Sequence, residues 1–348
     1  MSNLSEQKCP GCGAPMRFDP ESGKLVCDFC GTSIEIPTDE AAEEAGAKDE
    51  KRPGIGEELP IYNCDSCGAE IVADAVTASV TCPYCGNNIV LTEKVTGGLR
   101  PDGIIPFKID KKSLPDAVNA FYKGKRLLPK NFFSESSIEN VCGVYVPFWL
   151  YDCTMQGDVS YDGYKDAAVR EGDYLVTTRS HYNVVRDAKL QFKDIPVDGS
   201  ARLDDALMDS LEPFDFSKLV PFNMSYLAGF FAERFDKDSD EVRQRADERI
   251  MTSALYMVDS KASSGYTGVE RKANGLTASP MTSKYVLLPV YTFDVNWKGQ
   301  KFTFAMNGES GKVVGEIPTD KGKVLRLRWL SFAAAAALIV LIMHFLSC

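Results

Sequence analysis

The sequence predicts an α+β protein with two small N-terminal four-cysteine zinc ribbons, a β-rich α+β middle domain and one C-terminal transmembrane helix. Three observations predict this class. Four CxxC pairs lie near the N-terminus, short apolar runs rich in Val, Tyr and Phe fill residues 99 to 320, and an uncharged apolar segment ends the chain. With 348 residues, 44% of them hydrophobic, the chain can hold about two ordinary domains.

The cysteines form an internal repeat with an offset of 55 positions. The spacing CxxC, fourteen residues, CxxC is close to that of a structural four-cysteine zinc site, because each CxxC turn supplies two of the four thiolates of a tetrahedron. A glycine follows every pair and permits the positive φ of such a turn. The sequence therefore predicts two Zn²⁺ ions, one per ribbon, and the predicted ligands are Cys9, Cys12, Cys27, Cys30, Cys64, Cys67, Cys82 and Cys85.

Other readings of the cysteines are less favoured. A disulfide framework usually accompanies a secretory signal, and the start MSNLSEQKCP has no apolar segment. A thioredoxin-like dithiol would use one CxxC on a βαβ unit. An iron–sulfur cluster remains the alternative to zinc. Because cysteine fills all four positions of each ribbon, the predicted sites are closed and structural, not catalytic. Cys142, Cys153 and Cys348 are expected to be free.

The remaining boundaries follow from composition. The predicted order is a first ribbon (1–37), an acidic flexible linker (38–59), a second ribbon (60–92), the middle domain (93–320) and the basic flank with the transmembrane helix (321–348). The strand-like runs VYVPFWLYD and VLLPVYTFD share Val, Pro, an aromatic residue and Asp at a constant offset of 142. This pattern suggests an internal duplication, with chance similarity of apolar strands as the alternative.

The C-terminal segment carries the predicted anchor. From Trp329 to Leu346 there is no Asp, Glu, Lys or Arg, and roughly 18 helical residues span ~27 Å, close to the ~30 Å of a bilayer core. Basic residues from Lys321 to Arg328 precede it. The positive-inside rule then predicts a single-pass protein of the cell membrane whose N-terminal bulk is cytoplasmic. A buried core helix is the alternative.

The cysteine pattern, the strands VYVPFWLYD and VLLPVYTFD and the turn NGESGKVVGEIP together resemble a bacterial family of TFIIB-type zinc-ribbon-containing membrane proteins, over nearly the whole chain. The resemblance implies a zinc-binding, membrane-integrated accessory protein. Some members are associated with phage-shock and flotillin-like membrane-stress assemblies. No catalytic residue is carried over.

The sequence offers little for catalysis. Its two histidines, His181 and His344, are far apart, so HExxH is absent. The stretch GESGKVV fails as a phosphate loop, because its glycines are too close and Val313 replaces the required Ser or Thr. We expect neither an enzyme nor a small-molecule substrate.

Charge separates the two remaining functions. A net charge of −10 and the absence of Lys and Arg from residues 60–92 disfavour a polyanion partner. The predicted function is therefore a membrane-anchored adaptor or scaffold that contacts the membrane and other membrane-associated proteins at the cytoplasmic face. The alternative is a zinc-ribbon nucleic-acid-binding regulator of transcription or replication.

Overall fold

A computed structural model of the chain describes residues 9–14, 16–36, 68, 100–129, 131–132 and 137–347, together with four short strands between residues 61 and 90. The predicted linker, the four predicted ligands of the second ribbon and Cys348 lie outside the described residues.

The strands of the N-terminal part are short, and those of the middle domain include several long ones. In chain order they are β1 (Arg17–Asp19), β2 (Lys24–Val26), β3 (Ser33–Ile34), β4 (Ile61–Asn63), β5 (Glu70–Val72), β6 (Ser79–Thr81), β7 (Asn88–Val90), β8 (Gly103–Ile104), β9 (Ser137–Glu171), β10 (Tyr174–Asp198), β11 (Val220–Pro221), β12 (Phe231–Glu233), β13 (Gly268–Asn274), β14 (Thr277–Ala278), β15 (Thr282–Trp297), β16 (Gln300–Asn307) and β17 (Val313–Gly315). The α-helices are α1 (Leu114–Tyr122), α2 (Asp205–Leu211), α3 (Arg243–Ala262) and α4 (Lys321–Ser347).

The middle domain is built around one large sheet. Two long strands, β9 and β15, pair antiparallel at its centre, with Val146 opposite Leu288. The strand order through the sheet is β11-β8-β15-β9-β12-β5-β4. In addition, β10 pairs with β9, and β16 pairs with both β15 and β17. The first hairpin of the second ribbon thus continues the sheet, because β5 pairs with β12.

β8 and β12 occupy similar positions in the sheet. Both are short parallel neighbours of a long strand: Phe231 of β12 lies opposite Val144, and Gly103 of β8 lies opposite Val286. These two partners are related by the offset of 142 that the sequence shows. In the chain, β8 precedes α1 and β9, but it pairs with β15. Likewise, β12 precedes α3 and β15, but it pairs with β9.

Where β9 and β15 pair, both faces of residues 144–151 and 285–293 are buried, which explains the near-continuous apolar sequence of these stretches. Alternate residues of β9 enter two cores. One core contains Tyr145 and Trp149 and also receives α1 and the first ribbon, whereas the other contains Val146 and Phe148 and receives α2. Farther along β9 a third core forms under α3.

The sequence located the two central strands of the middle domain, because the strand-like runs VYVPFWLYD and VLLPVYTFD lie within β9 and β15. The chain is mostly sheet.

The predicted C-terminal transmembrane helix is wrong, and so is the fold class that included it. Residues 321–347 do form a helix, α4. Among the residues that the structure describes, however, no helix is both long and apolar enough to cross a membrane. The first two turns of α4 carry Lys321, Lys323, Arg326 and Arg328, which shortens its apolar part relative to the about 20 residues that a span needs. The predicted single-pass membrane localisation falls with it.

Candidate metal centre

Two similar turns build the first ribbon. In the first, the Gly13 N–H donates to the Cys9 carbonyl oxygen at 2.8 Å, and in the second the Gly31 N–H donates to the Cys27 carbonyl oxygen at 2.9 Å. Gly13 and Gly31 have φ angles of 75° and 73°, a conformation that side chains disfavour. The glycine after each CxxC pair therefore closes the turn that aims two thiols at one point.

The two turns bring four thiols together. The Sγ atoms of Cys9, Cys12, Cys27 and Cys30 all lie within 4.8 Å of one another, with Cys9 to Cys30 at 3.4 Å and Cys12 to Cys27 at 3.5 Å. Four sulfurs about 2.3 Å from a central ion would be separated by ~3.8 Å in a tetrahedron. The four cysteines can therefore hold a metal ion, as the sequence predicted for this ribbon.

Hydrogen bonds favour the thiolate form at two of these cysteines. Burial alone would raise the pKa of Cys9, but N–H donors that include Gly11, together with the Cys30 and Thr32 side chains, lower it to about 6. The Thr32 hydroxyl and N–H lower the pKa of Cys30. Since metal ions bind thiolates and not thiols, these donors prepare the cluster for a cation.

Cys12 shows the opposite effect. The Ala14 N–H favours its thiolate, but the neighbouring sulfurs of Cys30 and Cys27 outweigh that hydrogen bond and raise the pKa of Cys12 to about 12. Four thiolates repel one another at this distance, so a divalent cation is needed to ionise all four.

The first ribbon docks through Phe18 of β1 on the segment of the middle domain that precedes β12. The side chain of Phe18 is 2% exposed and makes an edge contact with Tyr226 at 5.4 Å between ring centroids. Its backbone N–H donates to the Ala228 carbonyl oxygen at 2.8 Å. The ribbon is therefore fixed against the domain, with the exposed thiols Cys12 and Cys30 on its outer side.

The second ribbon repeats the backbone register of the first. In the first, Leu25 of β2 lies opposite Ile34 of β3. In the second, Val80 of β6 lies opposite Ile89 of β7, and both residues are 55 positions later. The strand pairing on either side of the second CxxC is thus the same in both copies, although the four cysteines themselves lie outside the described residues.

Other residues singled out from the sequence lie away from this cluster. His181 is exposed on β10, with its Nδ1 3.1 Å from an Asp162 carboxylate oxygen. Cys142 and Cys153 are free thiols of β9, and burial raises the pKa of both. The segment GESGKVV forms the turn that connects β16 to β17.

Sequence reasoning missed a buried charged cluster beside the sheet. The fully buried carboxylate of Asp198 accepts a hydrogen bond from Arg245 at 2.9 Å, and its burial raises its pKa. Nearby, Arg202 donates to the Gly68 carbonyl oxygen of the second ribbon at 2.9 Å. Asp198 and Arg245 are 47 positions apart, so no local sequence pattern marked this contact.

The chain has a relative of nearly the same length among known proteins. The chain is 35% identical over 337 residues to the uncharacterized protein YdjG of Bacillus subtilis (strain 168), and the match covers 96% of this chain and 95% of the relative. No family model matches the chain, and no solved structure matches it. With that identity over nearly the full length of both proteins, the chain belongs to the YdjG family.

Proposed function

We propose that the protein is a zinc-stabilised adaptor that acts through protein–protein contacts, with one structural Zn²⁺ in each ribbon. The observation that carries the proposal is the four-thiol cluster of the first ribbon, which docks on the middle domain through Phe18. Four sulfur ligands complete a tetrahedron and leave no position for a substrate, which is the arrangement of structural zinc sites.

The donor set fits zinc, because tetrahedral sites of four thiolates take zinc or iron. The offset of 55 residues and the matching strand register of β6 and β7 support the same ion in the second ribbon.

The docked ribbon presents a surface suited to protein recognition. Phe29, between the ligands Cys27 and Cys30, is 78% exposed. An exposed aromatic side chain on a rigid turn loses little conformational entropy on binding, and aromatic residues are enriched at the centres of protein interfaces. In this proposal the metal fixes the turn and Phe29 contacts a partner protein.

The test starts by capturing partners with the full-length protein from native extracts and purifying the recovered proteins one by one. Direct binding of each is then measured to the wild type, to Phe29→Ala and to Cys153→Ser, which changes a thiol outside the ribbons. The proposal predicts that Phe29→Ala weakens binding about tenfold or more, with zinc content unchanged, whereas Cys153→Ser binds normally.

Two outcomes would contradict the proposal. One is that every purified partner binds Phe29→Ala as tightly as the wild type. The other is that the captured material is nucleic acid whose affinity falls steeply with salt, which would favour the nucleic-acid regulator instead.

A further inference from the structure

A β-hairpin arm extends beyond the sheet at the far end of β9 and β10. The arm comprises residues 165–180, and every one of them is exposed. Its strands stay in continuous antiparallel register up to the pair Glu171 and Tyr174, where Gly172 has a φ of 65° in the turn. The third strand, β13, accompanies β9 only as far as Tyr164.

The two faces of the arm differ in chemistry. On one face Arg179 forms two hydrogen bonds with Asp166, at 2.7 and 2.9 Å, and also stacks over the Tyr164 ring. On that face the charges of Asp166 and Arg179 are paired with each other. The other, here called the apolar arm face, is formed by cross-strand pairs that include Val169 with Val176 and Ala167 with Thr178. Val169 is 59% exposed.

The apolar arm face continues a face that is covered closer to the domain. Alternation along β9 places Val169 on the same side as Tyr161, because strand side chains repeat every second residue. Tyr161 and its cross-strand partner Val184 are buried under α3. Since α3 ends at Ala262, the outer part of this face has no cover among the residues that the structure describes.

Charges at the two ends of the apolar arm face are arranged for self-recognition. Lys165 lies three residues before Ala168 on β9, and Glu171 lies three residues after it. A two-fold axis can run across the strands beneath the pair Ala168 and Thr177. This axis places a second arm antiparallel to the first. Lys165 of each copy then faces Glu171 of the other, and Val169 faces the smaller Ala167.

We propose that the apolar arm face binds the same face of a second copy of this chain, in a two-fold symmetric, antiparallel arrangement. The contact area limits how tightly the two copies bind each other. Seven residue pairs at ~3.3 Å per residue make a face about 23 Å long and about 10 Å wide. The area is roughly 230 Å² on each copy, below the about 800 Å² per partner of a stable interface, so the dimer is weak and reversible, and it would make the adaptor bivalent.

The experiment is sedimentation velocity of the full-length protein from about 1 to about 200 μM, the range in which a small interface associates. The variants are Val169→Asp on the apolar arm face and Leu175→Asp, an equally exposed apolar residue on the opposite face. Val169→Asp is expected to abolish the dimer, and Leu175→Asp to leave it intact. Unfolding midpoints should match the wild type, because both side chains are exposed.

A charge exchange tests the symmetry. Lys165→Glu places two Glu side chains opposite each other and should raise the dimer dissociation constant about tenfold or more. Adding Glu171→Lys restores opposite charges and should recover the wild-type value. A wild type that stays monomeric throughout, association that survives Val169→Asp, or a double variant as weak as Lys165→Glu would each overturn the proposal.

Discussion

The first ribbon and the central sheet bury apolar side chains on different scales. Among the residues from Cys9 to Ile36 that the structure describes, the ribbon buries Met16, Phe18, Pro20 and Leu25 besides two of its cysteines, whereas the sheet fills three cores. A module of that size cannot fold stably on hydrophobic burial alone. In our proposal the ribbon therefore takes its folding free energy from metal binding, whereas the middle domain takes its own mainly from buried side chains.

The two regions are nevertheless joined. Phe18, one of the few apolar side chains of the ribbon, is buried against Tyr226 and Phe230 of the middle domain, not within the ribbon. The ribbon therefore contributes to the core of the domain, and the domain holds the ribbon at a fixed position.

The largest effect is expected from Cys27→Ser. Removing one of four ligands should lower the zinc content from two ions per chain to one and unfold the first ribbon, because structural zinc supplies about 10–16 kcal/mol of binding free energy to such modules. Zinc is measured by mass spectrometry of the metal, and ribbon folding by hydrogen exchange. Cys153→Ser, a buried thiol outside the ribbons, is the control. Protection of β1 and β2 that survives in Cys27→Ser would show that the ribbon does not depend on the metal.

Phe18→Ala should have a smaller effect and of a different kind. The substitution empties the contact with Tyr226 and should lower the free energy of unfolding by about 3 kcal/mol. The zinc content should stay at two ions per chain, because Phe18 is not a ligand. Hydrogen exchange should rise at Phe18, whose N–H donates to Ala228. Loss of zinc in this variant would mean that docking, and not the thiol cluster alone, holds the ion.

The smallest effect concerns Asp198 in the sheet domain. Burial raises its pKa in the folded protein above the unfolded value of about 3.9, so the folded state binds the proton more tightly. Stability contributed by this group is therefore lost as pH rises from about 4 through its folded pKa. In Asp198→Asn that loss is absent, while Arg245 keeps its contacts with Asp205 and Asp209.

Urea unfolding at several pH values between about 4 and 7 measures this dependence. The difference in unfolding free energy between wild type and Asp198→Asn should change with pH in that window, with the wild type losing relative stability as pH rises. Asp187→Asn, an exposed carboxylate on β10, is the control. A difference that stays constant with pH would remove Asp198 as the titrating group.

Local patterns were predictable, and contacts between distant segments were not. The spacing of Cys9, Cys12, Cys27 and Cys30 predicted the cluster, because ligand geometry fixes the spacing within a single module. Apolar runs located β9 and β15 for the same local reason. The docking of Phe18 on a segment more than 200 residues away depends on how the chain returns, as does the pairing of each short strand with the opposite half.

The C-terminal helix shows the converse limit. The uncharged C-terminal segment has the length expected of a membrane span, yet no helix among the described residues is both long and apolar enough to be one. The basic residues that were counted as a flank belong to the helix itself, so composition alone misplaced the start of the element.

X-ray absorption spectroscopy at the zinc edge of the full-length protein, purified under reducing conditions, tests the central claim most directly. The account predicts a first shell of four sulfur atoms at about 2.3 Å and two zinc ions per chain. Nitrogen or oxygen atoms in that shell would show an open or mixed site. Iron in place of zinc, or a protein that folds its first ribbon without any metal, would contradict the account.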